Sequence, residues 1–479
     1  MLNKLYRHNL TLLTDLYQLT MAHSYREAKM HNREAVFHLF FRKNPFGGDY
    51  AVAAGLELAI DYLKQLKFGV NDIQYLGGIK GNDGEPLFNE SFLNFLQRFD
   101  FQCDIDAVPE GTIVFPHQPL VRVQGPLWQC QIIETALLNI LNFSTLIATK
   151  AARITAAAQG EAVLEFGLRR AQGIDGGLTG SRAAYIGGCH ATSNVLAGKL
   201  CGIPVKGTHA HSWVMSFDNE MESFLAYAKA MPTNSTFLVD TYDTVEGVKN
   251  AVIVGKKLRE EGYEMNGIRL DSGDLADLSK KARVILDEGG FPNANIVASN
   301  DLDEYRIKEL KEKGAKITVW GVGTRLATAF DQPALGGVYK LAALKNELGE
   351  WDYKIKLSEQ AIKTSNPGRL AVRRMFENGI PQADVIYDAD LDDDQKFILK
   401  EFKTDKEITF NFADGKDLLQ AIFQKGKYVG KKETVHQMRE RTLSQIALFA
   451  KTDIANYKVG LEQNVCQKQQ ELIAKRIKK

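Results

Sequence analysis

The chain has 479 residues, of which 44% are hydrophobic and 25% are charged, and its formal net charge is +1. This length and composition predict a soluble globular protein of two or three domains with a large core. The balanced charge gives no reason to expect a nucleic-acid partner, so small molecules are the default ligands.

The five cysteines are scattered and form no Cys-x-x-Cys pair, which is typical of a reduced compartment and argues against a zinc site. No apolar run reaches the roughly 18 residues that cross a bilayer, and the first residues lack the apolar core of a signal peptide. We therefore expect a cytoplasmic protein without membrane or nucleic-acid partners.

The first part of the chain mixes helical and strand patterns. Residues 13–21 have helical spacing, and alternation predicts a strand over 35–41. Turn residues bound two further short strands, at 109–116 and 120–126, which indicates antiparallel structure. A proline-free helical pattern from 129 to 155 then leads into a second domain.

Between about residues 162 and 344, strand patterns alternate with helical ones. The predicted strands are Val163–Leu168, Val205–Thr208, Thr236–Tyr242, Gly267–Leu270, Asn295–Ser299, Ile317–Gly321 and Gly337–Leu341. The predicted helices that separate several of them are Val245–Glu260, Leu275–Glu288 and Leu302–Lys313. Repeated βα units predict parallel strands, and these strands are numerous enough to close an α/β barrel.

A ring and two guanidinium groups follow the first of these strands, at the strand ends where α/β proteins bind ligands. Phe166, Arg169 and Arg170 lie in a glycine-punctuated turn. Arginine side chains match phosphate oxygens, and an aromatic ring can stack on a planar heterocycle. Taken singly, such an arginine pair is more often a solvated surface feature.

Carboxylates and glycines follow two later strands. Arg269 and Asp271 alternate onto one face before a Ser-Gly-Asp turn. The carboxylates of this motif could hold ribose hydroxyls or a magnesium ion carried by a diphosphate, although Asp and Ser before a helix are also ordinary N-caps. Gly321 and Gly323 could expose backbone N–H groups to phosphate, but they lack the spacing of a dinucleotide-binding fold.

Two histidines, His209 and His211, follow the second predicted strand of this region. If the extended backbone continues, period-two alternation points both side chains to the same side. They could then form a metal pair or a nucleophile with a helper, or they could satisfy local backbone hydrogen bonds. Asp240 and Asn300-Asp301, at two other strand ends, are interpreted as helix caps. Together the strand ends predict a site for a phosphorylated sugar and a flat ring.

Five motifs follow one another along nearly the whole chain: Thr14-Asp15-Leu16-Tyr17-Gln18-Leu19-Thr20-Met21, Phe166-Gly167-Leu168-Arg169-Arg170-Ala171-Gln172-Gly173, Gly207-Thr208-His209-Ala210-His211-Ser212, Arg269-Leu270-Asp271-Ser272-Gly273-Asp274, and Gly321-Val322-Gly323-Thr324 with Gly336-Gly337-Val338-Tyr339-Lys340-Leu341. In this order they closely resemble those of the nicotinate phosphoribosyltransferase family. The resemblance implies an ATP-assisted reaction in which nicotinate and 5-phosphoribosyl 1-diphosphate give nicotinate mononucleotide and diphosphate. That reaction is the entry step for salvaging nicotinate into NAD.

The resemblance also implies a fold, an irregular α/β barrel with a mixed α+β domain built from the N- and C-terminal segments. We place the N-terminal α+β domain at 1–128 and the catalytic barrel at 129–345. A C-terminal segment, 346–479, completes the first domain and adds helices. The resemblance further implies Mg²⁺ as cofactor, ATP as co-substrate, and a homodimer with active sites at the subunit interface.

Carried over position by position, the resemblance makes His211 the phosphorylated histidine and gives His209 a supporting or structural role. A neutral imidazole nitrogen can attack the γ-phosphate of ATP and hold a labile phosphoryl group. Asn194 stands roughly where relatives that use nicotinamide have an aspartate. An uncharged side chain there would avoid repelling the carboxylate of nicotinate, which favours the acid over the amide.

Two further sets of residues match the family's ligand contacts. Tyr17, Thr208 and Arg269 match nicotinate contacts, with Tyr17 coming from the partner subunit, and Phe166 matches a ring-stacking position. The residues implied to hold the phosphoribosyl diphosphate are Arg169, Asp271, Gly321, Gly323 and Ser365. The stretch around Ser365 departs from the commoner Lys-x-Thr-x-Pro-Gly form.

Three alternatives remain beside this interpretation. The pyridine substrate could be nicotinamide or quinolinate. A barrel metallohydrolase would use His209 and His211 as a metal pair, but such sites recruit further histidines, and only His436, outside the barrel segment, follows them. A catalytically silent barrel would act as a binding protein, and failure to bind 5-phosphoribosyl 1-diphosphate would favour it.

Overall fold

The computed structural model describes residues 9–357, 364–390 and 396–477. The chain divides into two compact units: unit 1 comprises 1–145, 334–434 and 444–479, and unit 2 comprises 146–333 and 435–443. Unit 1 thus draws on both ends of the chain, and unit 2 on its middle. The main divisions, at 145/146 and 333/334, fall inside the predicted barrel segment 129–345.

The helices and strands follow one another in three stretches of the chain. The first contains α1 (Leu16–Glu27), β1 (Glu34–Phe40), β2 (Ala51–Val52), α2 (Leu56–Gln65), α3 (Val70–Gly78), α4 (Glu90–Gln97), β3 (Asp104–Ala107), β4 (Ile113–Val114), β5 (Val121–Pro126), α5 (Leu127–Ile132) and α6 (Glu134–Ala158). The second contains β6 (Ala162–Glu165), α7 (Gly173–Ile186), β7 (Ala191–Thr192), α8 (Val195–Cys201), α9 (His211–Met215), α10 (Glu220–Ala230), β8 (Thr236–Leu238), α11 (Thr244–Glu260), β9 (Gly267–Leu270), α12 (Leu275–Glu288), β10 (Asn295–Ala298), α13 (Glu304–Glu312), β11 (Val319–Val322) and α14 (Thr324–Ala327). The third contains β12 (Val338–Lys345), β13 (Trp351–Tyr353), β14 (Leu370–Glu377), β15 (Ile380–Asp388), β16 (Lys396–Glu401), β17 (Glu407–Asn411), β18 (Gly415–Asp417), β19 (Gln420–Gln424), β20 (Lys427–Tyr428), α15 (Val435–Phe449), β21 (Lys458–Glu462) and α16 (Gln463–Ile477). Within the described residues, no helix has both the length and the apolarity to cross a membrane.

Unit 1 is built on largely antiparallel sheets. In one sheet, of order β13-β12-β1-β5-β3-β19-β20, strand β1 pairs antiparallel with β12 and β5. Every residue of β1 from Ala35 to Phe40 is buried, so both faces of the strand are covered. The other large sheet has the order β17-β16-β21-β15-β14-β18. The antiparallel structure predicted for the first part of the chain is confirmed.

Unit 2 contains a parallel sheet of order β7-β6-β11-β10-β9-β8. Helices follow most of its strands, as repeated βα units require. The mixed α/β class and the parallel strands are therefore confirmed. Closure of this sheet into a barrel stays a prediction, because β7 and β8 are the two edge strands of the sheet and are not paired with each other in the described structure.

Two strands predicted for the parallel sheet are wrong. Gly337–Leu341 overlaps β12, which pairs antiparallel with β1 in unit 1. An apolar run has the same pattern whether its neighbours are parallel or antiparallel, so the pattern could not assign the sheet. Val205–Thr208 forms no strand, and Val205 makes only an isolated bridge to Thr192.

Helix starts after three strands of unit 2 follow one rule. Asp243, Asp274 and Asp303 are the N-caps of α11, α12 and α13, and each side chain accepts backbone N–H bonds from the first turn. These bonds satisfy donors that the helix itself leaves unpaired. The predicted helix Leu275–Glu288 is confirmed with the same bounds, and Val245–Glu260 begins one residue earlier than predicted.

Candidate active site

A cavity of about 720 Å³ lies at the carboxyl ends of the parallel strands of unit 2. Its wall contains most of the residues that the sequence predicted for the site: Phe166, Arg169, Thr208, His211, Arg269, Asp271, Gly321 and Gly323. The wall also contains Arg170, Ser193, Ser212, Ser299, Asn300, Asp301 and Thr324. Motifs that are far apart in sequence thus meet around one space.

The guanidinium group of Arg269 is anchored by three neighbours. Its Nε donates to Ser299 Oγ at 2.8 Å, and one terminal nitrogen donates to Thr208 Oγ1 at 3.1 Å. The other terminal nitrogen pairs with Asp271 Oδ1 at 3.0 Å. A guanidinium carries five N–H groups, so two remain beyond these bonds to meet a ligand carboxylate in a fixed orientation. The Arg269 guanidinium carbon also lies 5.7 Å from the centre of the Phe166 ring.

Gly321 leaves room for the ring of Phe166. A Cβ atom at position 321 would lie 2.8 Å from the ring Cδ2 and 2.9 Å from Cε2, closer than carbon atoms normally approach. The sequence predicted Gly321 as a phosphate contact. The structure places it in the cavity wall and also gives it a packing role, because a larger residue would have to displace the ring.

His211 lies in the cavity beside two carboxylates. Its Nε2 is 3.7 Å from Asp271 Oδ2 and 4.0 Å from Asp240 Oδ1. Its Nδ1 is 3.1 Å from the hydroxyl of Thr241. In a neutral imidazole, negative charge beside Nε2 favours the proton on that nitrogen. The lone pair then lies on Nδ1, where the Thr241 hydroxyl can donate to it.

His209 is buried away from the cavity that His211 lines. Helix α9 begins at His211, so the extended backbone ends before it and the predicted alternation of the two side chains is wrong. His209 Nε2 accepts the Leu238 backbone N–H at 3.2 Å, and burial lowers the pKa of His209 to about 4. That bond occupies Nε2, a potential metal ligand, and Nδ1 lies 3.5 Å from the Ala210 carbonyl oxygen. No group of three or more His, Cys, Asp and Glu side chains in the described part of the chain is placed to hold a metal ion.

Asp240 is a site residue that sequence reasoning assigned to a helix cap. The cap is Asp243, and Asp240 instead accepts bonds through Oδ2 from the Asp271 backbone N–H at 2.8 Å and the Ser272 hydroxyl at 2.6 Å. Its Oδ1 is buried and has no hydrogen-bond partner among the described residues. The signal was present in sequence as pairs of acidic residues after three of the strands: Asp240 with Asp243, Asp271 with Asp274, and Asp301 with Asp303. In each pair the second acid caps the helix, so the first is not needed as the cap and can make other contacts.

The turn after β10 has an unusual backbone. Asn300 has φ of 90° and Asp301 has φ of 44°, in the left-handed region that residues other than glycine seldom adopt. Both residues line the cavity, and Asp303 rather than either of them caps α13. Backbone strain of this kind clusters at binding sites, so the turn belongs to the candidate site. Its prediction as a helix cap is wrong.

Asn194 is not part of the cavity wall. Its side chain is buried and caps α8, accepting the Ala197 backbone N–H at 3.2 Å through Oδ1. Its Nδ2 donates to the Gly177 carbonyl and to the Ser181 hydroxyl, both at 3.2 Å. Its side-chain amide is therefore used internally, and its predicted position beside the substrate stays a prediction. A helix cap and a ligand contact look alike in sequence at such a position.

Tyr17 and Ser365, two further predicted ligand contacts, belong to unit 1. Tyr17 lies on α1 with half of its surface exposed. Ser365 is buried, and its hydroxyl accepts the Lys356 backbone N–H at 2.9 Å. Their roles at the active site stay predictions.

Comparison with known proteins identifies the family. A model of the nicotinate phosphoribosyltransferase N-terminal domain matches residues 12–142, the family model matches 162–380, and a C-terminal domain model matches 369–469. The nicotinate phosphoribosyltransferase of Bacillus subtilis is 47% identical over 428 residues, which is 87% of this chain and 85% of the relative. The chain belongs to the nicotinate phosphoribosyltransferase family.

Other members of the nicotinate phosphoribosyltransferase family agree with this assignment. The human enzyme is 37% identical over 432 residues, covering 78% of this chain and 79% of the relative. The crystal structure of human nicotinic acid phosphoribosyltransferase superposes with a TM-score of 0.83 at 31% identity, over 96% of this chain and 99% of that one. The predicted resemblance is confirmed, and the chain is an enzyme of this family.

Proposed function

We propose that the chain transfers the phosphoribosyl group of 5-phosphoribosyl 1-diphosphate to nicotinate, giving nicotinate mononucleotide and diphosphate for NAD biosynthesis, with ATP hydrolysis assisting the transfer. The observation that carries the proposal is one cavity lined by an anchored arginine, by two further arginines, and by a histidine beside two carboxylates. Each feature serves one anionic part of the substrates.

Arg269 binds the carboxylate of nicotinate through the two N–H groups that its three anchors leave. Thr208 lies beside it, and the Phe166 ring supplies a stacking surface for the pyridine. Charge-assisted, bidentate hydrogen bonds form with a carboxylate and not with a neutral amide. Nicotinate is therefore the expected substrate ahead of nicotinamide.

Arg169 and Arg170, with the turn at Gly323 and Thr324, hold the phosphate groups of the sugar substrate. Their positive charge and backbone N–H groups stabilise the departing diphosphate. The pyridine nitrogen forms its bond to C1 of the ribose as the bond from C1 to the diphosphate oxygen breaks. That nitrogen is already a nucleophile, so orientation and electrostatics supply most of the acceleration.

His211 carries the phosphoryl group from ATP. The lone pair on its Nδ1 attacks the γ-phosphorus, the N–P bond forms, and ADP leaves with the electrons of the broken P–O bond. The Nε2–H faces Asp271 and Asp240, whose negative charges stabilise the positive charge that the ring gains. Water later accepts the phosphoryl group and restores the neutral imidazole.

The residues beside His211 also fit a magnesium ion. Carboxylate oxygens are the ligands that Mg²⁺ prefers, and it needs only one or two when substrate phosphates supply others. Asp240 Oδ1 is buried without a hydrogen-bond partner in the described structure and lies 4.0 Å from His211 Nε2, and Asp271 lines the cavity. These two residues would hold the ion, which would neutralise charge on the diphosphate when bound.

The remaining expectations follow from the family resemblance. Two copies of the chain form a homodimer, and Tyr17 contributes to the site of the partner subunit. The half-exposed ring of Tyr17 suits such a contact. Ser365 contributes to the phosphoribosyl diphosphate site, the parallel sheet of unit 2 closes as an irregular barrel, and the enzyme works in the cytoplasm.

Replacement of the phosphoryl carrier tests the proposal. His211→Asn should abolish ATP hydrolysis and phosphoryl transfer from γ-labelled ATP to the protein, while slow, ATP-independent transfer to nicotinate continues. His190→Asn is the matched control, because His190 is exposed and lies at the amino ends of β6 and β7, outside the cavity wall. Full ATP hydrolysis by His211→Asn would refute the assignment.

The choice of acceptor is tested separately. We expect kcat/KM for nicotinate to exceed the values for nicotinamide and quinolinate, and preference for either alternative would overturn the substrate assignment. Metal analysis of the purified enzyme addresses the metallohydrolase alternative, since a hydrolase would retain a tightly bound transition metal.

A further inference from the structure

Ser299 links the two halves of the candidate site, one around Arg269 and one around His211. Its hydroxyl accepts a hydrogen bond from Arg269 Nε at 2.8 Å and donates one to Asp271 Oδ1. The side chain follows β10 directly and is buried, with 4% of its surface exposed. A serine hydroxyl has one proton to donate, so these two bonds fix its orientation.

Asp271 completes the connection. Its Oδ1 binds both Arg269 and Ser299, and its Oδ2 lies 3.7 Å from His211 Nε2. The carboxylate therefore has one oxygen on each half of the site. A ligand that moves the Arg269 guanidinium group moves Ser299 and Asp271 with it, because the three groups are hydrogen-bonded at low exposure.

We infer that Ser299 is a positioning residue that sets the orientation of Arg269 toward nicotinate and couples nicotinate binding to the phosphorylation of His211. The inference rests on the proposed function. Without the hydroxyl, the partly buried Arg269 Nε–H loses its acceptor and Asp271 Oδ1 loses a donor. The guanidinium group is then less constrained, and the placement of Asp271 beside His211 depends less on whether nicotinate is bound, because only the direct bond from Arg269 to Asp271 Oδ1 still links them.

Ser299→Ala tests both parts of the inference, the positioning of Arg269 and the coupling of nicotinate binding to phosphorylation of His211. The KM for nicotinate should rise on the order of 10-fold with a smaller change in kcat, as expected for losing a hydrogen bond to a charged group. The number of ATP molecules hydrolysed per nicotinate mononucleotide formed should rise at least about twofold, because phosphorylation proceeds without the acceptor. An unchanged KM, or a raised KM with an unchanged ATP ratio, overturns the inference.

A double-mutant cycle separates positioning from a general loss of structure. In an Arg269→Ala background, Ser299→Ala should change the nicotinate KM by less than about twofold, since residues acting through one another are not additive. Ser299→Cys fills a similar volume with a weaker hydrogen-bonding group and should raise the KM by less than alanine does. Additive effects in the cycle, or a larger rise with cysteine, contradict the inference.

Thr318→Val is the matched control. Thr318 immediately precedes β11, and its hydroxyl also bridges neighbouring segments, donating to Asn295 Oδ1 and accepting the Ile296 backbone N–H, both at 3.1 Å. It lies at the opposite strand ends, outside the cavity wall, so both the KM and the ATP ratio should match the unmodified enzyme. If the unmodified enzyme forms no nicotinate mononucleotide, the proposed function itself fails. If it does and Ser299→Ala behaves identically, only the inference about Ser299 fails, in both its positioning and its coupling part.

Discussion

Replacement of His209 by glutamine should cost less stability in mild acid than at neutral pH. The buried imidazole accepts the Leu238 backbone N–H through Nε2, and protonation would remove that lone pair. Burial, aided by the nearby charge of Arg269, lowers the pKa of His209 from 6.5 to about 4. A glutamine amide oxygen can accept the same bond without titrating.

The sign follows from the direction of this pKa shift. Between about pH 4 and pH 6.5, the unfolded chain binds a proton at His209 more tightly than the folded chain does. The contribution of the neutral imidazole to the free energy of unfolding is fully present above about pH 6.5. It is lost as the pH falls through this interval. Linkage over the interval gives a loss of about 2 kcal/mol between about pH 7 and about pH 5. The cost of His209→Gln should shrink by that amount.

The assay is urea unfolding of both proteins at each pH, followed by circular dichroism. Other buried histidines titrate equally in the unmodified enzyme and the variant, so their contributions cancel in the difference. Tyr227→Phe is the control, because that ring packs 4.8 Å from the His209 ring and does not titrate in this range. A cost of His209→Gln that is equal at both pH values would refute the buried, neutral assignment.

Three other substitutions have defined outcomes. Arg269→Ala should weaken nicotinate binding by about 1.5–3 kcal/mol in calorimetry, the value of a charged hydrogen bond, and an unchanged Kd would remove Arg269 from the site. Gly321→Ala should displace the Phe166 ring and raise the nicotinate KM about 5- to 30-fold, from about 1–2 kcal/mol of overpacking; an unchanged KM would mean that the ring retreats freely. Arg374→Met should lower the free energy of unfolding by about 3–5 kcal/mol, because the fully buried Asp384 loses a bidentate partner. A loss below about 1 kcal/mol in urea unfolding would contradict that reasoning.

Local signals predicted the helices of unit 2 well. Helix α12 has the predicted bounds because Asp274 caps it and its apolar residues repeat at helical spacing. Strand assignment to sheets could not be predicted as well. The pairing of β12 with β1 is a contact between distant segments, and β7 has only two residues, too few to show a period.

Within the site, the sequence correctly predicted which side chains share a face of a strand. Arg269 and Asp271 lie on one face and are paired, as their spacing indicated. Ser299 and Thr241 were not found, because their importance comes from contacts with residues about 30 positions away. The two histidines were misjudged for a local reason, since a helix begins at His211 and ends the alternation.

The negative charge around His211 explains why we expect a cation to bind beside this residue during the proposed reaction. Asp271 already has a positive partner in Arg269, at 3.0 Å. Asp240 accepts bonds only through Oδ2 in the described structure, and its buried Oδ1 faces His211 Nε2 at 4.0 Å without a hydrogen bond. A buried carboxylate oxygen without a partner is costly. Under the proposed function, positive charge on the imidazole during phosphoryl transfer, or a metal ion that arrives with the phosphates, would remove that cost while the substrates are bound.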